Sequence, residues 1–73
     1  MVELSKEQQE VLQAIENYIE KNGYSPSVRE LCELTERNSP ATIHYHLKRL
    51  KTLGYIIYNE KQSRTIRIIR KGN

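Results

Sequence analysis

Ser39, Ala41, Thr42, His44, Tyr45, Lys48 and Arg49 lie close together in the chain, and their types suit recognition of a polyanion. The first are small or hydrogen-bonding and the last are cationic. In a helix laid into a DNA major groove, short side chains near its start approach base edges and the cations that follow meet phosphates. A methyl of Ala41 or Thr42 suits contact with a thymine methyl, and Thr42 and His44 can hydrogen-bond base edges. Tyr45 offers its hydroxyl to a phosphate or its ring to a base. Lys48 and Arg49, with Lys51, continue the cationic run; Lys61, Arg64, Arg67, Arg70 and Lys71 add a second group. Phosphate contact is the natural role for such a set, with Arg64 placed to enter a minor groove. Arg29 either reaches a phosphate or pairs with Glu33 four residues on. The competing reading is that these residues form an ordinary solvated surface.

Charge is divided along the chain. Residues 1–36 carry eight acids and three bases, whereas residues 37–73 carry nine bases and the single acid Glu60. A net charge of +3 conceals this split, and the basic half points to a polyanionic partner. Catalysis and metal binding have little support. His44 and His46 are two apart, which on a helix turns them about 200° from each other and prevents joint chelation. His46 lies nearer an apolar stripe and reads as a packing or hydrogen-bond-satisfied histidine. Cys32 is the only cysteine; it excludes an intrachain disulfide and reads as a structural thiol of a reducing compartment. No Gly-rich phosphate loop is present. The expectation is therefore no enzyme, no metal, no cofactor and no small-molecule ligand. The absence of a long apolar run and of a signal peptide implies a cytoplasmic chain with no membrane partner.

The elements that must position these residues are legible from periodicity and caps. Ser5 and Gln8 form a capping box that opens a first helix, whose stripe is Leu12, Ile15 and Ile19, flanked by Val11 and Tyr18 and ended by Asn22-Gly23. Ser27 and Glu30 open a second, short helix to about Glu36, with an apolar face of Val28, Leu31, Cys32 and Leu34 or Thr35. Arg37-Asn38 reads as a tight turn. Ser39 caps a third helix over about 40–53, Pro40 suits its first turn, and Gly54 suits its end. Ile43, Leu47 and Leu50 form its inner stripe. After Gly54 the period falls to two: Tyr55–Tyr58 and Thr65–Ile69 read as strands around the polar tip 59–64. Tyr24, Tyr55 and Tyr58 are expected to straddle core and surface. The fold class is mainly α with a small β-hairpin: one domain over residues 1–73, a three-helix winged helix-turn-helix.

From Leu4 to Ile69 the chain resembles the N-terminal DNA-binding domain of LexA-type SOS repressors. The stretches that carry the likeness include Leu4–Leu12, Gly23–Leu31, Ser39-Pro40, Thr42–Leu47, Leu53–Ile56 and Ser63–Arg67. Together with their place on the outer helix face, the likeness makes Ser39, Ala41, Thr42, His44 and Tyr45 the groove candidates. Two positions depart from the family pattern. A glycine is usual where this chain has Glu36, and an apolar residue where it has Arg37, so the turn is expected to close through Asn38, which tolerates left-handed geometry. Repressors of this kind also carry a self-cleavage domain with a Ser–Lys pair, and nothing of that switch can be carried over to these residues. The chain reads either as the DNA-binding part of a longer repressor or as a short bacterial or phage protein that competes for such operators.

The resulting expectation is sequence-specific binding of double-stranded DNA by a transcription regulator. The helix of residues 40–53 would enter the major groove, and the wing of residues 55–69 would rest on the backbone or minor groove. Tight binding calls for two copies, a homodimer on a palindromic operator. The alternative function is a protein-interaction module whose basic half docks an acidic partner or a host repressor.

Overall fold

The computed structural model describes residues 4–36 and 39–70. Three helices, α1 (Lys6–Asn22), α2 (Val28–Thr35) and α3 (Pro40–Thr52), precede the strands β1 (Ile56–Ile57) and β2 (Arg67–Ile68). Each helix begins where its local chemistry requires. Ser5 and Ser27 accept from the backbone N–H groups of Gln8 and Glu30, whose side chains accept in return from the cap backbone. Both capping boxes are therefore closed. Ser39 accepts from Thr42 N–H, and Pro40 occupies the first turn of α3.

The C-terminal ends differ in a way that matters. Gly54, at φ 85°, ends α3 in a left-handed turn in which Gly54 N–H donates to Lys51 and Tyr55 N–H to Leu50. This double bond pattern turns the chain out of the helix and into the hairpin. Gly23 ends α1 at φ 79°. At the end of α2, however, Glu36 itself adopts φ 60°, ψ −32°, a conformation costly for a residue with a Cβ. The left-handed position therefore falls on Glu36, where the family resemblance puts glycine; the expected turn at Arg37-Asn38 lies outside the described residues.

One core joins all the elements. Val11, Leu12 and Ile15 of α1 meet Leu31 of α2, Ile43, Leu47 and Leu50 of α3, and Leu4, Tyr55, Ile56 and Ile66. Val11 is fully buried rather than flanking its stripe. On α2 the choice between Leu34 and Thr35 resolves to Thr35, because Leu34 is 52% exposed. Cys32 is a half-buried free thiol packed against the core. Of the three tyrosines expected to straddle, Tyr58 is half-buried, Tyr55 is buried and Tyr24 is exposed.

The hairpin is shorter than its sequence suggests. The strands are antiparallel, with Ile56 opposite Ile68 and Ile57 opposite Arg67. Tyr55 N–H is taken by the helix end, although its carbonyl still accepts from Ile69 N–H at 2.8 Å. Thr65 is likewise diverted: its hydroxyl accepts from Asn59 N–H and sits within hydrogen-bond distance of the Asn59 and Gln62 carbonyls. Ladder pairing is thus confined to the middle of each expected strand. Replacing Glu36 with glycine should relieve the left-handed strain and raise the unfolding free energy by about 1 kcal/mol in urea titration. An unchanged or lowered midpoint would show that Glu36 is not strained in solution.

Candidate nucleic-acid interface

Burial of Ile43, Leu47 and Leu50 fixes the rotation of α3, and the opposite side of the helix becomes surface. Ser39, Ala41, His44, Tyr45, Lys48 and Arg49 are exposed, and Thr42 is half-buried at the helix start. The Ser39 and Thr42 hydroxyls lie 3.1 Å apart, so the cap also places two hydroxyls side by side at the head of this face. Among the described residues, none hydrogen-bonds or ion-pairs with the side chains of His44, Lys48 or Arg49. His46 is only 7% exposed, its ring edge-on to Tyr45 at 5.4 Å. It is a packing residue, but its Nδ1 has no protein partner among the described residues, so it is not hydrogen-bond-satisfied at that atom.

Residues far apart in sequence converge beside this face. A cleft of about 350 Å³ is lined by the first turn of α2 with Arg29, by His44 and Leu47 of α3, and by the wing from Tyr58 to Ile66, including Lys61. Arg29, His44 and Lys61 therefore border one concavity, with the N-terminus of α2 at its wall. That helix start is already closed by the Ser27–Glu30 capping box, so the cations Arg29 and Lys61 supply the attraction for an anion there. Arg67 is not brought to this cleft. It is exposed opposite Ile57 and lines a wider open groove of about 820 Å³ between α1 and β2, to which α3 contributes nothing. Lys51 and Arg70 are exposed but lie over the rings of Tyr58 and Tyr55 at 5.1 and 4.9 Å. Lys71 lies outside the described residues.

Arg64 departs most from expectation. It is folded back from the hairpin tip onto α2 and α1. Its two terminal nitrogens meet the two carboxylate oxygens of Glu30 at 2.9 and 3.0 Å, a bidentate pair. Nη1 also donates to the Ser25 carbonyl at 3.2 Å and to the Tyr18 hydroxyl at 3.3 Å, and the guanidinium lies 5.1 Å from the centre of the Tyr24 ring. The expected minor-groove cation is thus an internal anchor, because a carboxylate and two further acceptors compete for its donors. Sequence reading identified Glu30 only as a capping residue; its partner lies 34 positions away, and no local pattern signals it.

Glu30 accepts from Ser27 N–H, from Arg64 and from the Tyr18 hydroxyl. The Ser27 backbone donor, followed by the Arg64 guanidinium, holds its carboxyl well below the usual range, at about 2. The same pairing raises Arg64 above its ordinary value. No group of histidine, cysteine and acid side chains among the described residues forms a metal site, and no helix among them is long and apolar enough to cross a membrane.

Comparison with known proteins agrees with the fold. The LexA DNA binding domain family matches residues 1–65. The LexA repressor of Caldicellulosiruptor saccharolyticus is 43% identical over 67 residues, which are 92% of this chain and 33% of that protein. The LexA repressor of Shouchella clausii is 42% identical over 72 residues, 99% of this chain and 35% of its own length. That of Thermosipho melanesiensis is 41% identical over 71 residues, 97% and 35%. The chain spans about a third of the length of these curated relatives.

Because the folded carboxyl of Glu30 titrates below its ordinary value of 4.5, the stability it contributes is fully present above that pH and is lost as pH falls toward about 2. The melting temperature should therefore drop across this acid window, and Glu30→Gln, which keeps a capping partner for Ser27, should flatten the drop. An equally steep acid loss in the variant would assign the titration to other groups.

Proposed function

The chain belongs to the LexA DNA-binding domain family, and from that premise we propose that it binds double-stranded DNA sequence-specifically as a transcriptional repressor of the SOS type. The observation that carries this reading is the exposed face of α3. It is a rigid surface graded from hydroxyls and a methyl to cations, with its inner stripe locked in the core. In this reading α3, about 20 Å long at 1.5 Å per residue, lies in the major groove. Ala41, Thr42, His44 and Tyr45 meet base edges. Ser39, Lys48 and Arg49 meet the backbone, and Arg29 and Lys61 hold phosphate from the cleft between α2 and the wing. Arg67 reaches the backbone only if the wing lies flat on the duplex.

A single module of this kind buries about 600–1,000 Å² on DNA and binds with strong salt dependence. Two copies on the inverted half-sites of a palindromic operator supply the remaining affinity. Occupation of the operator then excludes transcription from it.

Fluorescence anisotropy with a LexA-type palindromic operator duplex and a scrambled duplex, at two salt concentrations, tests the reading. Preference for the operator should survive the higher salt. Thr42→Ala and His44→Ala should each change discrimination at particular base pairs by about 1–3 kcal/mol. Lys48→Ala should weaken both duplexes alike and lower the salt slope by about one. Equal binding to the two duplexes that vanishes with salt would leave only a basic surface and favour an acidic protein partner.

A further inference from the structure

We propose that Arg64 acts in DNA binding as a positioning residue, holding the wing against the first turn of α2 rather than touching DNA. The inference rests on the DNA-binding reading above. The loop at the tip of the wing is a hydrogen-bonded unit in itself. Asn59 Oδ1 accepts from Lys61 N–H, and the Thr65 hydroxyl ties the Asn59 backbone across the loop. Such a unit moves as one piece unless something outside it holds it.

Little else does. Each strand has two residues, and an isolated two-stranded hairpin is marginal in water. At the loop end the attachments to the rest of the domain among the described residues are Ile66 N–H to Ser25 Oγ in the α1–α2 connector, the buried Ile66 side chain, Tyr58 packed on the core beneath Lys51, and Arg64. Of these, Arg64 makes the most polar contacts: its fork meets both oxygens of Glu30 while its face lies over Tyr24. It also adopts φ 56°. Its contacts to Glu30, Tyr18, Ser25 and Tyr24 hold it in that conformation, and strained positions held in this way cluster where geometry serves function.

The geometry thus set is the cleft itself. Lys61 lies on the loop, Arg29 on α2 and His44 on α3, and Arg64 lines the same concavity between them. With the pair intact, the spacing of Lys61 from Arg29 and His44 is fixed before DNA arrives. With the pair broken, the duplex must reorder the wing, and affinity falls by the fraction of time that the wing is out of place.

Direct contact and positioning make opposite predictions for Glu30. If Arg64 bound phosphate, Glu30→Gln would release it and remove a negative charge, so DNA binding would hold or tighten. If Arg64 positions the wing, losing the carboxylate should weaken binding although the protein becomes more positive. Arg64→Ala, Arg64→Lys, Glu30→Gln and the double variant Arg64→Ala/Glu30→Gln would be titrated with operator and scrambled duplexes over a salt series. Arg64→Ala and Glu30→Gln should each bind the operator about fivefold more weakly, the coupling expected of a partly exposed pair. The double variant should be no weaker than either single one, Arg64→Lys should be intermediate, and the salt slope should stay that of the unaltered protein. Amide hydrogen exchange provides a readout without DNA: the Ile66 amide should exchange faster in Glu30→Gln while those of Leu12 and Leu47 do not change. Unweakened binding by Glu30→Gln, or a salt slope lowered by about one in Arg64→Ala, would overturn the proposal. If the unaltered protein did not prefer the operator, the DNA-binding reading would fail first, and this proposal with it.

Discussion

The carboxylate of Glu30 completes two structures at once. One oxygen accepts from Ser27 N–H and closes the capping box of α2, and the pair of oxygens receives the fork of Arg64 from the wing. Such a doubled role matters in a domain of 73 residues, where a single core has limited surface to bury. The wing contributes Tyr55, Ile56 and Ile66 to that core, with Tyr58 and Ile68 half-buried against it. Apolar packing fixes the hairpin from its root to Tyr58 and Ile66, while the tip beyond them is held by polar bonds. The pair is partly exposed, so its worth lies in orienting the wing more than in raw stability.

Helix α3 depends on a different constraint. Its inner stripe, Ile43, Leu47 and Leu50, is fully buried or nearly so, and the left-handed turn at Gly54 brings Tyr55 back beneath the helix end. The rotation of α3 about its axis is thus set by burial, and the direction of its outer face follows. This separation leaves the exposed positions free to differ in identity without cost to the core. It also leaves the side chains of His44, Lys48 and Arg49 without partners among the described residues, as the proposed contact with a polyanion requires. Arg64 shows the converse, a cation of the same basic half that the fold has consumed.

Much of the architecture was legible because it is local. Ser5 with Gln8, Ser27 with Glu30, Ser39 with Pro40, and Gly54 each specify a helix end within a few residues, and the apolar stripes specify which side turns inward. The exposed candidates on α3 follow from the same periodicity. What was not legible is non-local. No spacing links Arg64 to Glu30, so a cation at a hairpin tip reads as available when it is engaged. The meeting of Arg29, His44 and Lys61 around one cleft depends on how the wing folds over α2, which pattern alone does not fix. Strand length was overread for a related reason: Tyr55 and Thr65 have strand-like types, but the helix end and the loop use part of their hydrogen-bonding capacity.

Among the described residues two non-glycines hold left-handed backbone, Glu36 at φ 60° and Arg64 at φ 56°, and their surroundings separate two uses of the same strain. Arg64 is held by a bidentate ion pair, two further acceptors and an aromatic face, all drawn from other elements. Its conformation is the means by which the hairpin delivers the guanidinium to Glu30, and the bonds gained offset the backbone cost. Glu36 makes one backbone bond, to Cys32, and no side-chain bond to any described residue. Its conformation serves only to turn the chain out of α2. A glycine could make that turn without strain, whereas no glycine could replace Arg64. The first site therefore tolerates change in the direction of the family pattern, and the second does not, because there the strain and the side chain form one device.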